Sequence, residues 1–231
     1  MKRRKNTGVR KVMPDTPVDK QRIVQAALTL LNKDGLDQLS MRRLAEVLGV
    51  RAASLYWHIK DKAELMQLLA DSICGLIPLP DPSLPWQEKI LSTAENYRRV
   101  LLSIRDAEKI LLETTPTTSK RFEIMEATLR IFVEAGFSPE EVVSASSMVN
   151  NYVLSFVSDE VRLTNAARTQ GKSIEEMYSE FGQTFLSMQD KYPNLALLAD
   201  YTTGADMDKQ FQFGLQVILD GLNARLKNSK C

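Results

Sequence analysis

The sequence predicts an all-α protein in which a small three-helix unit of helix-turn-helix type precedes a larger helical body. Three observations predict it. Apolar residues recur at helical spacing along most of the chain, and no stretch alternates apolar and polar residues as a half-buried strand does. A proline-rich stretch, Pro78 to Pro85, separates two parts of opposite charge. Residues 1 to 63 hold 14 Lys or Arg against 6 Asp or Glu, a net of +8, and residues 64 to 231 hold 16 against 23, a net of −7. Only the basic part gains by releasing counterions on a polyanion, so the pattern reads as a nucleic-acid-binding module on a regulatory or oligomerising body. The competing reading is a solvated surface with chance asymmetry.

The broad class follows from composition. With 231 residues, 44% apolar and 26% charged, the chain can bury a sizeable core, and neither a disordered nor a collagen-like class fits. No apolar run is long enough for a bilayer, and the basic start Lys2 to Lys5 is not followed by an apolar leader segment, so a cytoplasmic protein without membrane attachment is expected. Two Cys, at 74 and 231, and a single His, at 58, are too few for a disulfide framework, structural zinc or Cys/His nucleophilic chemistry. No metal and no cofactor are expected.

The elements follow in order. Residues 1–17 read as a disordered basic arm, since the first 14 carry six Lys or Arg, no acid and no periodicity. A helix-turn-helix domain spans 18–76. Its first helix runs from Asp19, with Ile23, Ala26, Ala27, Leu30 and Leu31 on one face and Gly35 as its stop. Ser40 caps a short helix through Leu48, Gly49 breaks it, a second short helix runs from Ala52 to His58, and a longer one from Asp61 to Gly75. Four prolines from 78 to 85 make a stiff spacer, a better reading than a ligand for a proline-binding domain. The domain at 86–227 then begins with the stripe Trp86, Ile90, Ala94, Tyr97, Leu101 and Ile104. A second stripe, Phe122, Met125, Leu129, Phe132 and Val133, ends at Gly136.

Two later helices are apolar on two faces. From Pro139 to Leu163, Val142, Ala145, Val149, Tyr152 and Phe156 form one stripe, and Val143, Leu154, Val157 and Val161 another. From Ala205 to Leu226, Met207, Phe211, Leu215, Ile218 and Leu222 face one way, and Phe213 and Val217, with the small Gly214 and Gly221, face another. Helices apolar on two faces must be covered twice, as in a four-helix interface of a homodimer, or else lie at the centre of a monomeric core.

The stretch MRRLAEVLGVRAASLYWHI, Met41 to Ile59, has the grammar of a helix-turn-helix. Ala45 is small where the helices approach, Gly49 supplies a positive-φ turn, and Leu44, Leu48, Val50 and Leu55 point inward. Arg42, Arg51, Ser54, Tyr56, Trp57, His58 and Lys62 are then left facing outward, where they can donate to phosphates and base edges, and a bare Ala such as Ala52 or Ala53 can lie against a thymine methyl. Trp57 is expected in part to pack the second short helix against the fourth.

Asp19 to Leu69, above all LAEVLGV and SLYWHIKDK followed by LLADSI, resembles the DNA-binding domain of the tetracycline repressor (TetR) family. RVLLSIRDAEKI, the Thr-x-Pro at Thr114 to Pro116, the helix end EAGFS and the two-faced helix from Pro139 extend the likeness over nearly the whole chain after the arm. The resemblance implies a homodimer that binds a near-palindromic double-stranded operator and releases it when a small-molecule inducer enters the body. It implies that Arg42 and the segment Arg51, Ala52, Ala53, Ser54 read bases, and that Tyr56, His58 and Lys62 mainly hold phosphates.

There are departures. Ala52 and Ala53 replace the Gln and Pro of the repressor that gives the family its name, so the operator differs. Leu111 stands where that protein has a His that helps to hold its drug's magnesium, and Thr93 and Tyr97 replace pocket residues. Leu cannot ligate a metal, and Asp159 reads as a solvated helix-end acid. The expected pocket is apolar, lined by Tyr97, Leu111, Pro116, Met125 and Met148 with Thr93, Thr114 and Asn151 as polar fixers, and its ligand is an apolar or amphipathic molecule independent of magnesium.

AARTQGKS, residues 166 to 173, looks like a relaxed phosphate loop, but no strand precedes it. No catalytic constellation is present around His58 or elsewhere, so the chain is not expected to be an enzyme. The expectation is a ligand-responsive transcriptional repressor. An activator, a ligand-independent dimeric regulator, and, in another class, a helical enzyme or lipid carrier are the alternatives.

Overall fold

The computed structural model describes residues 18–202 and 206–228, and among these it contains helices, turns and loops only. The arm assigned to residues 1–17 lies outside the described residues. Helix α1 (Lys20–Asp34) begins where the Asp19 carboxylate accepts the Arg22 backbone N–H at 2.7 Å, and it ends at Gly35 with φ +86°. The positive φ selects glycine there, whereas the Arg105 guanidinium near that position is the end of a flexible, half-exposed side chain that could move aside. A 3-10 turn, Leu36–Gln38, which the periodicity did not suggest, leads to α2 (Met41–Leu48), capped by Ser40.

Gly49, at φ +70°, makes the turn into α3 (Ala52–Leu55). This helix is shorter than the expected Ala52 to His58. The backbone N–H groups of His58 and Ile59 both bond to the Leu55 carbonyl at 2.9 Å, closing a turn that buries Ile59 completely. The chain must then extend at Asp61, whose carboxylate caps α4 (Lys62–Cys74) by accepting the Glu64 N–H at 2.8 Å. Continuing α3 would sacrifice that cap.

The body consists of α5 (Trp86–Ser103), α6 (Ala107–Glu113), α7 (Ser119–Ala135), α8 (Pro139–Thr169), α9 (Ile174–Ser187), α10 (Pro193–Leu197), α11 (Ala199–Thr202) and α12 (Met207–Asn228). Helices α6, α9, α10 and α11 were not anticipated, and α8 runs past Leu163 to Thr169. Ser138 starts α8 with a full capping box against Glu141 and Pro139 in the first turn. Helix α7 is rotated from its expected phase. Its inward positions are Arg121, Ile131 and Phe132, whereas Phe122, Met125 and Val133 are exposed.

Helix α12 buries Phe211, Leu215 and Leu222 within its own protomer and leaves Phe213 and Val217 in the open. Gly214, assigned by sequence to the outer face, instead lets Tyr152 approach: any Cβ there would collide with the Tyr152 ring, whose hydroxyl donates to the Phe211 carbonyl at 2.8 Å. Helix α8 likewise leaves Val143 exposed while burying Leu154 and Val157.

The two parts meet at two places. Helix α4 packs against α1 on one side and against α6 and α7 on the other. The α5–α6 corner also grips the end of α1. Asp106, at φ +57° the single positive-φ non-glycine among the described residues, is buried and accepts the Leu36 N–H at 2.9 Å and the Lys109 ammonium at 2.7 Å. Beside it the Arg105 backbone N–H donates to Asn32 Oδ1 at 2.9 Å.

Burial acts to raise the Asp106 carboxyl, but Lys109 and the Leu36 N–H outweigh it and hold it below its ordinary value of 3.8. The stability it adds is therefore present at neutral pH and is lost as the pH falls below that value. Asp106→Ala, which orphans a buried N–H and puts Ala at positive φ, should lower stability by about 1–3 kcal/mol in urea denaturation. Asp106→Asn, which tolerates that backbone and can still accept, should lose less. Equal losses from the two would refute the role given to the Leu36 contact.

Candidate functional site

The outer face of the N-terminal part is built from what its core leaves over. Leu44, Ala45 and Leu55 are buried, and Leu48 and Val50 pack half-buried against the core. Arg42, Arg51, Ala53, Ser54, Tyr56, Trp57 and Lys62 are exposed, and Ala52 and His58 are half-buried. Arg42 makes only a loose 3.8 Å pair with Glu46 and is free to reorient. Arg43, its sequence neighbour, is a scaffold residue bound to Asp34 at 2.7 Å. The Glu64 carboxylate accepts Lys20 Nζ and the Lys60 backbone N–H, each at 2.7 Å, which ties the α3–α4 loop to α1. Those bonds hold its carboxyl below the ordinary carboxylate range.

Trp57 does not pack as expected: it is 89% exposed. The turn that buries Ile59 swings the preceding ring outward. The result is an exposed indole beside a 53% exposed Tyr56, flanked by the exposed Arg51, Lys60 and Lys62. Cations and aromatic rings on α3 and its turn, with the exposed Arg42 on α2, suit phosphate and base contacts.

The body holds a cavity of about 530 Å³, within the range of small-molecule sites. Cys74 and Ile77, at and just beyond the end of α4, form one side of it, with Ala94 and Tyr97 from α5. Leu111, Thr114 and Pro116 come from α6 and the segment after it, Arg121, Ile124 and Met125 from α7, and Ser146, Val149 and Asn151 from α8. Of the residues expected there, Tyr97, Leu111, Thr114, Pro116, Met125 and Asn151 line it.

Thr93 and Met148 do not. The Thr93 hydroxyl turns back to the Lys89 carbonyl at 2.7 Å, while its neighbour Ala94 faces the space. Met148 lies about 100° round α8 from Val149 and lines a separate cleft with Phe137 and Leu222.

Sequence reasoning missed Arg121, Cys74 and Ser146. The available signal for the first was a cation in the first turn of a helix, against the dipole. Arg121 is buried, donates from Nη1 to Thr114 Oγ1 at 2.7 Å and approaches the Leu111 carbonyl at 3.4 Å. The Thr114 hydroxyl is itself oriented by donating to the Ile110 carbonyl at 2.6 Å. Burial pushes the Cys74 thiol up to about 11 and raises the Tyr97 phenol, in both cases against the pull of the Arg121 charge. Both therefore stay neutral at physiological pH.

These residues do not fit a magnesium-chelated ligand held in the manner of the drug-binding relative. Leu111 offers no donor, Asp159 pairs with Arg162 at 3.0 Å and Glu160 with Arg98 at 2.9 Å, and neither carboxylate lines the cavity. Among the described residues no group of His, Cys, Asp or Glu is placed to hold a metal. No described helix is long and apolar enough to cross a membrane.

Comparison with known proteins agrees with both halves. Residues 23–69 match the family model for bacterial regulatory proteins of the tetR family, and residues 79–226 match that for the tetracyclin repressor-like C-terminal domain. The chain is 33% identical over 220 residues to the class A tetracycline repressor from transposon 1721 of Escherichia coli, covering 93% of this chain and 92% of the relative. ActR of Streptomyces coelicolor, solved in complex with actinorhodin, superposes with a TM-score of 0.81 at 30% identity, covering 90% of this chain and 96% of ActR. BioQ bound to its double-stranded DNA operator does so with a TM-score of 0.64 at 28% identity, covering 90% and 99% of the two chains. With a helix-turn-helix that leaves its cations outward, a helical body that holds a partly open cavity, and a match to both family models, the chain belongs to the TetR family of bacterial regulatory proteins.

Proposed function

We propose that the protein is a homodimeric repressor of transcription that acts in the cytoplasm and leaves its operator when a mainly apolar small molecule fills the cavity in its body. The carrying observation is the placement of α4. Its early residues Leu65, Met66 and Leu69 are buried in the core that holds the reading helix, and its last residue, Cys74, lies in the cavity wall. A 13-residue helix of about 20 Å thus has one end in each function. A ligand that favours one setting of this helix shifts the spacing of the two reading heads by as much as its differential affinity allows. The Asp106 grip on Leu36 supplies a second rigid link between body and head.

Operator reading is assigned to Arg42 and Arg51 through Ser54, with Tyr56, Trp57, His58 and Lys62 on phosphates and sugars. The ActR complex with actinorhodin and the operator complex of BioQ agree with a family in which one protein takes a small molecule and another binds duplex DNA. The family is one of regulators, which agrees with the absence of any catalytic constellation in the sequence.

Selection of bound DNA from a random pool tests the reading. The expected product is a near-palindrome with half-sites about one helical turn apart, bound with a steep salt dependence. Retention of no duplex at low salt would overturn it. On the selected operator, Arg42→Ala should cost about 1–3 kcal/mol and relax one base position, whereas Lys62→Ala should weaken all sequences alike and lower the salt slope by about one. Uniform weakening by both variants would remove Arg42 from base reading.

A further inference from the structure

We propose that the cavity is built for an amphipathic ligand bearing an anionic oxygen group, and that Arg121 is the residue that holds this group. The inference deepens the reading of the cavity as the inducer site and rests on it.

The fold contains a control for what a purely structural buried arginine looks like. Arg98, whose side chain is 11% exposed, is bidentate to Glu160 at 2.9 and 3.0 Å, pairs with Asp208 at 2.7 Å, and is covered by Phe156 and Phe211. Its charge is matched twice over. Arg121 is equally buried and matched by none: its partners are a hydroxyl and a backbone carbonyl, both neutral, and it makes no ion pair among the described residues. Asp71 on α4 is near enough to Cys74 to raise its thiol, but its carboxylate accepts the Lys120 backbone N–H at 2.7 Å and makes no ion pair with Arg121.

A desolvated cation without a counter-charge is strongly unfavourable in a folded protein, and such a group is retained where something else supplies the charge. The position compounds the effect, since Arg121 sits in the first turn of α7, at the positive end of the helix dipole. Only part of the guanidinium's five-donor fork is engaged, leaving N–H groups at the cavity wall for a planar anionic group.

The remaining surroundings specify the rest of the ligand. Cys74 and Tyr97 lie close enough for their charges to couple to Arg121 and are kept neutral by burial, so they act as donors rather than counter-ions. The Tyr97 ring lines the cavity, and Ser146 Oγ, also in its wall, is buried without a hydrogen-bond partner among the described residues. Between these polar points the walls are Ile77, Leu111, Ile124 and Val149, which fit a flat hydrocarbon body.

Two dyes with the same rings separate charge from shape: anilinonaphthalene sulfonate, which is anionic, and phenylnaphthylamine, which lacks the sulfonate. In fluorescence titrations of the full-length protein at moderate salt, the sulfonate should bind about 10–100-fold more tightly than the neutral dye, as expected for one charge-assisted contact. Arg121→Met should abolish that preference and leave the neutral dye within about threefold of its original affinity. Arg121→Gln, which keeps a polar side chain beside Thr114, gives the same reading should the Met variant fail to fold.

Val149→Trp fills the cavity and should remove both dyes. If the neutral dye is lost in Val149→Trp but the preference for the sulfonate is absent from the parent or survives in the Arg121 variants, the cavity reading stands and the assignment to Arg121 falls. If both dyes persist in Val149→Trp, or neither binds the parent, the cavity is not the ligand site and the proposal falls with it.

Discussion

Phe213→Glu is expected to convert the protein from a dimer to a monomer and to weaken operator binding by about 10²–10⁴-fold, the loss that follows when two linked half-site contacts become one. Phe213 is 73% exposed on α12, with Val217 at 55% one turn further and Met148 at 43% on α8, in the cleft between the two helices. Apolar side chains that stand this far out of two adjacent helices mark a surface for a partner, and in the proposed homodimer that partner is a second copy. The Phe213 side chain makes little contact within its own protomer, so the variant should fold with stability of the isolated chain within about 0.5 kcal/mol of the parent. Light scattering at micromolar concentration and gel-shift titration check the two halves. A dimer mass in the variant would remove Phe213 from the interface.

Two residues earlier on the same helix, the opposite outcome is expected. Phe211→Ala should destabilise the protein by about 3–5 kcal/mol, a large share of the total for a domain of this kind. Phe211 is 1% exposed. Tyr152 stacks on it at 5.4 Å between centroids, Phe156 meets it edge-on at 5.2 Å, and Arg98 lies 4.9 Å above its ring. Removing the ring opens a void beside a desolvated guanidinium and admits water to the Arg98 pairs with Glu160 and Asp208. Because association adds to apparent stability, denaturation must be compared at one protein concentration. A loss under about 1 kcal/mol would mean that this cluster is loosely packed and relaxes on truncation.

The pair also shows where sequence reading stops. Periodicity placed Phe211, Leu215 and Leu222 on one face of the last helix and Phe213 and Val217 on another, and both assignments hold. It assigned Phe211, Leu215 and Leu222 to the dimer surface, and the structure turns that set inward. A stripe states that a face must be covered; it does not state whether the same chain or another copy covers it.

Local signals determined the spans. Asp19, Ser40, Asp61 and Ser138 are side-chain caps whose effect reaches three residues, Gly35, Gly49 and Gly136 end helices at positive φ, and an apolar residue every third or fourth position declares a helix. These are properties of neighbours in the chain, so the helix-turn-helix and its outward cations were legible. Tertiary packing decided the rest. The phase of α7 was set by which residues α4, α5 and α8 could cover, so Arg121 was turned into the cavity and Phe122 out of it. Thr93 and Met148 fell outside the cavity by one helical step each, Gly214 was claimed by Tyr152, and Trp57 was exposed because Ile59 and the Asp61 cap took precedence. In each case the outcome depends on partners dozens of residues away, whose burial free energy exceeds the local preference, and no spacing along the chain encodes which of two apolar faces that partner will take.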